Sequence, residues 1–351
     1  MPGHLRAREG QRPIDLITRP RLAPLAPHRI PRYPHPVRKR PFPALKTEVT
    51  ELSLGTWGLS GDAYGPVSDA EADAVIDRAA DLGISLFDTA DVYARGAMET
   101  KLGKRLASRA STTFIATRIG TERTERGARK RFELSWLGEA FDRSRERIAR
   151  DRIDVLLLHN PSAVTIEQKE ATGFLRELKD SGKVGAWGVS AGSKEVAIAS
   201  IDAGAEVIGL AYNVFHAEDL HAIAAQAAMR GVAILAHSVL AYGLLVSHWG
   251  PERAFDEGDH RRTRWSASEL RTRVQQLEAV RGMVGGEVLT PRSGALRFVL
   301  SNNLVTTSII GPRTTQQLEQ LLREAGNGPP YLPEKALSEL QSRLANVGVL
   351  P

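Results

Sequence analysis

The run Asp88-Thr89-Ala90-Asp91-Val92-Tyr93 sets two carboxylates and a phenol within six residues, directly behind the apolar stretch Ile84-Ser85-Leu86-Phe87. A strand that merely ends needs a turn residue there, not three groups able to hold or move a proton. Two other apolar runs also end on a polar residue: Arg118 closes the run at 113–117, and His159 closes Ile153–Leu158. Taken singly, each has a plain structural reading, since an Asp before Thr is commonly a turn or cap and a lone His is commonly structural. Taken together, their chemistry fits. A phenol with a pKa near 10 is a poor acid at neutral pH until a neighbouring cation lowers it. A carboxylate can hold that cation, and an imidazole can orient an incoming oxygen. Such a set would donate a proton to a developing alkoxide.

These groups meet only if their strands are neighbours. From residue 48 onward, short β-branched runs alternate with helical patterns. Glu51–Gly55 opens, and Ser68-Asp69-Ala70-Glu71 has the spacing of a capping box ahead of a helix that Gly83 stops. Strand-like runs follow at 84–88, 113–119, 153–159, 184–190, 207–213, 232–237 and 305–311. Helix patterns fall at about 98–108, 131–150, 166–181, 194–203, 217–230, 291–301 and 315–325, with a last one near 334–346. Ile153–Leu158 is apolar on nearly consecutive residues, as expected of a parallel strand buried on both faces. Eight strand–helix units predict an α/β fold, a closed (β/α)8 TIM barrel entered by an N-terminal hairpin. The polar, Arg-rich segment 245–282 reads as an inserted loop and helix before the last βα unit. A doubly wound open sheet is the alternative, but no G-x-G-x-x-G follows the first strand. In the barrel, active sites lie at the C-terminal ends of the strands, where Asp88, Tyr93, Arg118 and His159 all stand.

The 351 residues are 42 % hydrophobic and 25 % charged, with no cysteine, so disulfides and thiolate metal sites are excluded. A reducing cytoplasm is the default location. No apolar run approaches the roughly 18 to 20 residues of a membrane span. The net charge of +6 is unevenly placed. Residues 1–45 hold ten Lys/Arg against Glu9 and Asp15, a local +8, which leaves the remainder at −2. The basicity therefore belongs to a leader and argues against nucleic acid as a partner. That leader also holds ten of the nineteen prolines, so residues 1–45 are expected to be disordered and residues 46–351 to form the barrel.

From about 46 to 325 the chain resembles the aldo-keto reductase family. The similarity is carried by "LSLGTWGLSG", "FDTADVYARGAMETKLGKRL", "IATRIG", "LLLHNP", "GKVGAWGVSAG", "AYNVF", "GVAILAHSVLAYGLL" and "SIIGPRTTQQLEQLL", in family order and spacing. The resemblance implies an NADP(H)-dependent reductase of a small aldehyde or ketone on a barrel without metal. It implies Tyr93 as proton donor, His159 orienting the carbonyl, and Asp88 holding the cation at position 118. It places Ser190 in the nicotinamide site and the pyrophosphate along Ser238, Leu240 and Gly243-Leu244. The 2′-phosphate and adenine would meet Gly311, Arg313 and Gln317, and Trp57 would wall the substrate pocket. Arg313 favours NADP over NAD, since a guanidinium pairs well with phosphate.

The sequence departs from the family pattern around the nicotinamide. The family cation is lysine, and here it is Arg118, a planar fork on a longer arm. Ala191 stands where Asn usually follows the Ser of "GVS", Gly209 where a Gln precedes "YN", and Leu321 where an Asn often contacts adenine. His237 holds a position often given to a stacking aromatic, and Ala94 and Met98 replace Gly and Ser. Each lost hydrogen bond is worth roughly 1 kcal/mol. The competing reading is a barrel of this family with weak or no reductase turnover, a nucleotide-sensing or partner-binding subunit or a repurposed acid–base enzyme.

Overall fold

The computed structural model describes residues 37–125, 127–246 and 249–349. The chain opens with strands β1 (Lys39–Phe42) and β2 (Thr47–Thr50), then β3 (Leu52–Gly55), helix α1 (Asp69–Asp81), β4 (Leu86–Asp88), α2 (Ala97–Leu106) and β5 (Phe114–Ile119). It continues through β6 (Thr121–Thr124), β7 (Gly127–Lys130), α3 (Leu134–Ile148), β8 (Ile153–His159), α4 (Ala163–Glu167), α5 (Glu170–Asp180), β9 (Val184–Ser190) and α6 (Lys194–Asp202). The last third holds β10 (Val207–Ala211), α7 (Glu218–Arg230), β11 (Ala233–His237), α8 (Ala267–Arg281), α9 (Pro291–Ser301), β12 (Val305–Ile310), α10 (Thr315–Ala325) and α11 (Glu334–Asn346). Strands β3, β4, β5, β8, β9, β10, β11 and β12 close into a barrel of parallel neighbours, β12 returning to β3. The expected (β/α)8 architecture stands.

Local sequence explains why the helices sit where they do. Ser68 caps α1 in a capping box with Glu71, each side chain bonded to the other's backbone N–H, which satisfies two of the otherwise unpaired amides of a first turn. The helix pattern at 166–181 is split instead into α4 and α5, because Lys169 adopts φ +65 between them. The inserted segment is present between β11 and β12. It carries α8, capped by Ser266 and Glu269, and its turn at 260–263 reaches back to the loop after β3, where His260 N donates to Ala63 O at 2.9 Å.

The barrel floor differs from the expected leader boundary. Residues 1–36, expected to be disordered, lie outside the described residues, but residues 39–45, expected to end that disordered leader, are structured. Strands β1 and β2 form an antiparallel hairpin, and Phe42 is fully buried with Val49, Val155, Ala186, Val207 and Ala233. Arg40 donates to the carbonyls of Leu300, Asn302 and Val305 at 2.6 to 3.0 Å. The proline in this strand costs nothing in the ladder, since a two-stranded ribbon is all edge. The hairpin thus plugs the N-terminal end of the barrel, opposite the strand ends that carry the polar residues.

Candidate active site

Strand pairing sets the polar strand ends in successive steps around the C-terminal mouth of the barrel. Asp88 pairs with Gly55 and with Ala116, Arg118 with Leu157, and His159 with Ser190. Asp88, Tyr93, Arg118, His159, Ser190 and Trp57 all line one cleft of about 950 Å³, within the range of small-molecule sites. The Tyr93 ring lies 6.4 Å from Trp57 and 6.4 Å from His159, edge-on to the latter. Among the described residues nothing hydrogen-bonds the Tyr93 hydroxyl. The chain leaves Tyr93 through Ala94 at φ +47 and Arg95 at φ +55, a left-handed pair that costs a non-glycine residue roughly 1–2 kcal/mol each. Ala94 occupies the place where glycine would carry that conformation without strain.

Arg118 and Asp88 form a sealed pair. Nη1 donates to Asp88 Oδ2 at 2.9 Å and to the Thr89 carbonyl at 2.7 Å, and Nη2 lies 2.7 Å from Oδ1, paired by charge though not aligned as a hydrogen bond. Burial raises the Asp88 carboxyl above its usual range, and the guanidinium facing both oxygens opposes that rise. The expectation that this cation makes Tyr93 a stronger acid needs correcting. Burial dominates and pushes the phenol up to about 12, Arg118 pulling the other way against Asp88 and other acids. Burial is the larger effect, and the guanidinium, directed at the carboxylate, offsets only part of it. Burial also drives the His159 imidazole well below its usual range, helped by Lys130 and Arg118, so the ring is neutral at pH 7. His237 falls to about 3 by burial and by the field of Arg118.

The residues expected to hold a dinucleotide run along the same cleft. Ser190, Ser238, Leu240, Gly243, Gly311, Arg313 and Gln317 all line it, whereas Leu244 is buried behind it. Gly243 turns at φ +92, and a Cβ on Gly311 would meet nothing within 4 Å, so the backbone there is open to a ligand. Thr314 caps α10 by accepting from Gln317 N at 3.1 Å, leaving Thr315 and Gln316 N–H without a partner among the described residues. A helix start of this kind favours an anion, so the wall fits a phosphate-bearing cofactor. Arg313 is placed differently from expectation. Its Nη1 donates to Tyr64 O at 2.9 Å, and its Nη2 donates to Gly65 O and Pro66 O at 3.0 and 2.9 Å. The guanidinium therefore tethers the loop after β3, while its Nε–H is buried without a partner.

Two residues of the cleft escaped the sequence reading. Asn160 follows His159 at φ +49 and accepts a hydrogen bond from Ser190 Oγ at 3.1 Å. Its amide thus lies beside Ser190, where Ala191 lacks one, and its N–H groups can meet a carboxamide. The signal was the "HNP" within the quoted "LLLHNP". Lys130 arrives on the β6–β7 hairpin, which inserts between β5 and α3 and was not expected. Its Nζ donates to Thr121 Oγ1 at 2.8 Å and to the His159 carbonyl at 2.6 Å. No apolar alternation marks that hairpin in the sequence.

Comparison with known proteins gives the aldo/keto reductase family profile a match over residues 51–329. The chain is 27 % identical over 312 residues to pyridoxal 4-dehydrogenase of Microbacterium luteolum, covering 78 % of this chain and 88 % of that protein. It is 26 % identical over 282 residues to the aldo-keto reductase yakc of Schizosaccharomyces pombe, named with NADP(+), covering 78 % and 82 %. Among solved structures, a glycerol dehydrogenase from Gluconobacter oxydans superposes with a TM-score of 0.76 at 23 % identity, over 89 % of this chain and 97 % of that one. An aldo-keto reductase from Bacillus halodurans in its holo form gives 0.73 at 21 %, over 88 % and 96 %. At these identities the structural likeness is one of fold. No helix among the described residues is long and apolar enough to cross a membrane.

Proposed function

The chain belongs to the aldo/keto reductase family, and from that premise we propose that it reduces a small aldehyde or ketone to an alcohol with NADP(H). One observation carries the reading: Tyr93, His159 and the Asp88–Arg118 pair line a single cleft whose far wall is the open start of α10. When bound, the cofactor supplies the hydride. His159, neutral, donates a hydrogen bond to the carbonyl oxygen and fixes its orientation. Tyr93 gives its proton to that oxygen as negative charge develops there, and a phenol pushed up to about 12 is fully protonated at neutral pH for this step. Arg118 stabilises the phenolate left behind, more weakly than a free ammonium would because Asp88 and Thr89 O hold its donors. Ser190 and Asn160 hold the carboxamide end of the cofactor, Ser238, Leu240 and Gly243 the pyrophosphate, and Gly311, Gln317 and the charge of Arg313 the 2′-phosphate end. Trp57 walls the substrate side.

The test is direct. NADPH consumption at 340 nm is followed with a panel of aliphatic and aromatic aldehydes, alongside the melting temperature with and without NADPH. Cofactor binding with Tyr93-dependent turnover supports the reading. Firm NADPH binding with no turnover on any carbonyl returns the chain to the non-reducing alternative, for which the locked Arg118 fork is the favouring observation.

A further inference from the structure

Cationic side chains crowd the cleft, but most already face a carboxylate. Arg118 pairs with Asp88, Arg123 with Asp62, Arg261 with Asp259, and Arg292 with Glu324. Arg313 is tied to the carbonyls of residues 64–66, and Arg264 lies over the Tyr242 ring with its Nε donating to His260 Nδ1 at 3.3 Å. Both of these stand toward Tyr242 and the α10 wall, the part of the cleft read as the cofactor's. Lys130 stands apart. Among the described residues no acid lies within ion-pair distance of its ammonium, and its two hydrogen bonds go to neutral oxygens. An ammonium has three donors and no acceptor, so one N–H remains for a ligand.

Its position is specific. The ammonium is anchored on the backbone carbonyl of His159, the residue whose imidazole is read as orienting the substrate oxygen, and the side chain is exposed to the cleft. The anchor is built by the hairpin, since Thr121 and Lys130 are register partners across β6 and β7. From these observations we propose that the carbonyl substrate carries a carboxylate a few atoms from its reacting carbon, and that Lys130 grips it. One free N–H on a point charge matches a monoanion better than a phosphate dianion, which would call for several donors. Partial burial at the cleft wall lowers the Lys130 ammonium to about 8, which leaves it mostly charged at neutral pH. The nearby acid, Asp91, is itself pushed up to about 8 by burial and by Glu99, so it does little to neutralise the lysine there.

This inference rests on the reductase reading, and the experiment separates the two. The full chain is assayed with NADPH on 4-carboxybenzaldehyde and on its methyl ester, a neutral analogue of similar shape. In wild type the acid should show the higher kcat/KM, mainly through KM. Lys130→Met should lower kcat/KM for the acid about tenfold more than for the ester, and Lys130→Arg should retain most of the preference. A second readout needs no turnover: calorimetric binding of benzoate and of benzamide to the protein–NADP+ complex, with and without Lys130→Met. Benzoate bound more tightly than benzamide in wild type, with the difference lost in the variant, supports the proposal even if no aldehyde is reduced. Equal effects of Lys130→Met on acid and ester, or on benzoate and benzamide, overturn it and leave Lys130 as a prop for His159. A preference for 4-formylphenyl phosphate over the carboxylate would also overturn it.

Discussion

Arg118 holds Asp88 with both ends of its fork, 2.9 Å to Oδ2 and 2.7 Å to Oδ1, while the same Nη1 reaches the Thr89 carbonyl at 2.7 Å. Both side chains are sealed from solvent. This relationship limits how far the cation beside Tyr93 offsets the burial that raises the phenol. A planar fork that matches a carboxylate is fixed in direction, whereas an ammonium is a point charge with rotatable donors.

Replacing Arg118 by lysine should therefore release charge toward Tyr93. A fixed cation matters more to the transition state than to binding, so Arg118→Lys should raise kcat for aldehyde reduction on the order of tenfold, a change of about 1.4 kcal/mol in the barrier. The NADPH dissociation constant should change little, and Tyr93→Phe in the same background should remove the gain. The melting temperature should fall by several degrees, because one partner of a buried pair becomes shorter. A variant that binds NADPH yet stays as slow as wild type would remove Tyr93–Arg118 from the chemistry.

Two truncations separate the leader from the barrel floor. Deleting residues 1–36 should leave the melting temperature and NADPH binding unchanged. Deleting 1–45 removes Phe42 from the core and Arg40 from three carbonyls. Losing a buried phenylalanine costs about 3–5 kcal/mol, so the longer truncation should melt far lower or fail to fold. Matching behaviour of the two would place the boundary elsewhere.

That boundary shows where sequence reasoning reached its limit. The strand ends were legible because each polar residue closes an apolar run, and the run itself reports burial on both faces. Lys39–Leu45 reads as leader because its prolines and cations dominate its composition. What orders it, Arg40 bonding to carbonyls some 260 residues away, has no local signature. The β6–β7 hairpin is invisible for a related reason. Thr121–Lys130 has almost no apolar residue to set a period, and ion pairs such as Arg129–Glu122, together with the Lys130–Thr121 bond, hold it. Arg313 was legible as a cation at a helix start, but its carbonyl partners lie about 250 residues away.

Asp91 gives a pH signature. Its Oδ1 is sealed without a partner, and burial, then Glu99, pushes the carboxyl up to about 8. An acid raised above its unfolded value binds its proton more tightly when folded. Its contribution to stability is thus full below about pH 4 and lost as pH rises through about 8. Asp91→Asn, which cannot ionise, should flatten the fall of melting temperature between pH 5 and 8 and melt above wild type at pH 8.5. Parallel curves for the two proteins would show that Asp91 ionises normally.

Arg313 poses the sharpest choice between two roles. Its terminal nitrogens tether the loop after β3, and its positive charge sits at the start of α10, where a 2′-phosphate would lie. Only NADPH carries that phosphate. If the charge serves the cofactor, Arg313→Ala should weaken NADPH about tenfold more than NADH, in keeping with roughly 1.5–3 kcal/mol for hydrogen bonds to charged groups. The tether should act on both cofactors alike, because Trp57, Tyr64 and His260 pack together across the loop it holds. Arg313→Lys keeps the charge but cannot reach three carbonyls at once, so it should restore the NADPH preference while leaving both affinities below wild type. Dissociation constants from tryptophan fluorescence quenching would settle the matter. Equal losses for NADPH and NADH in both variants would make Arg313 a tether alone and move the phosphate site to other donors.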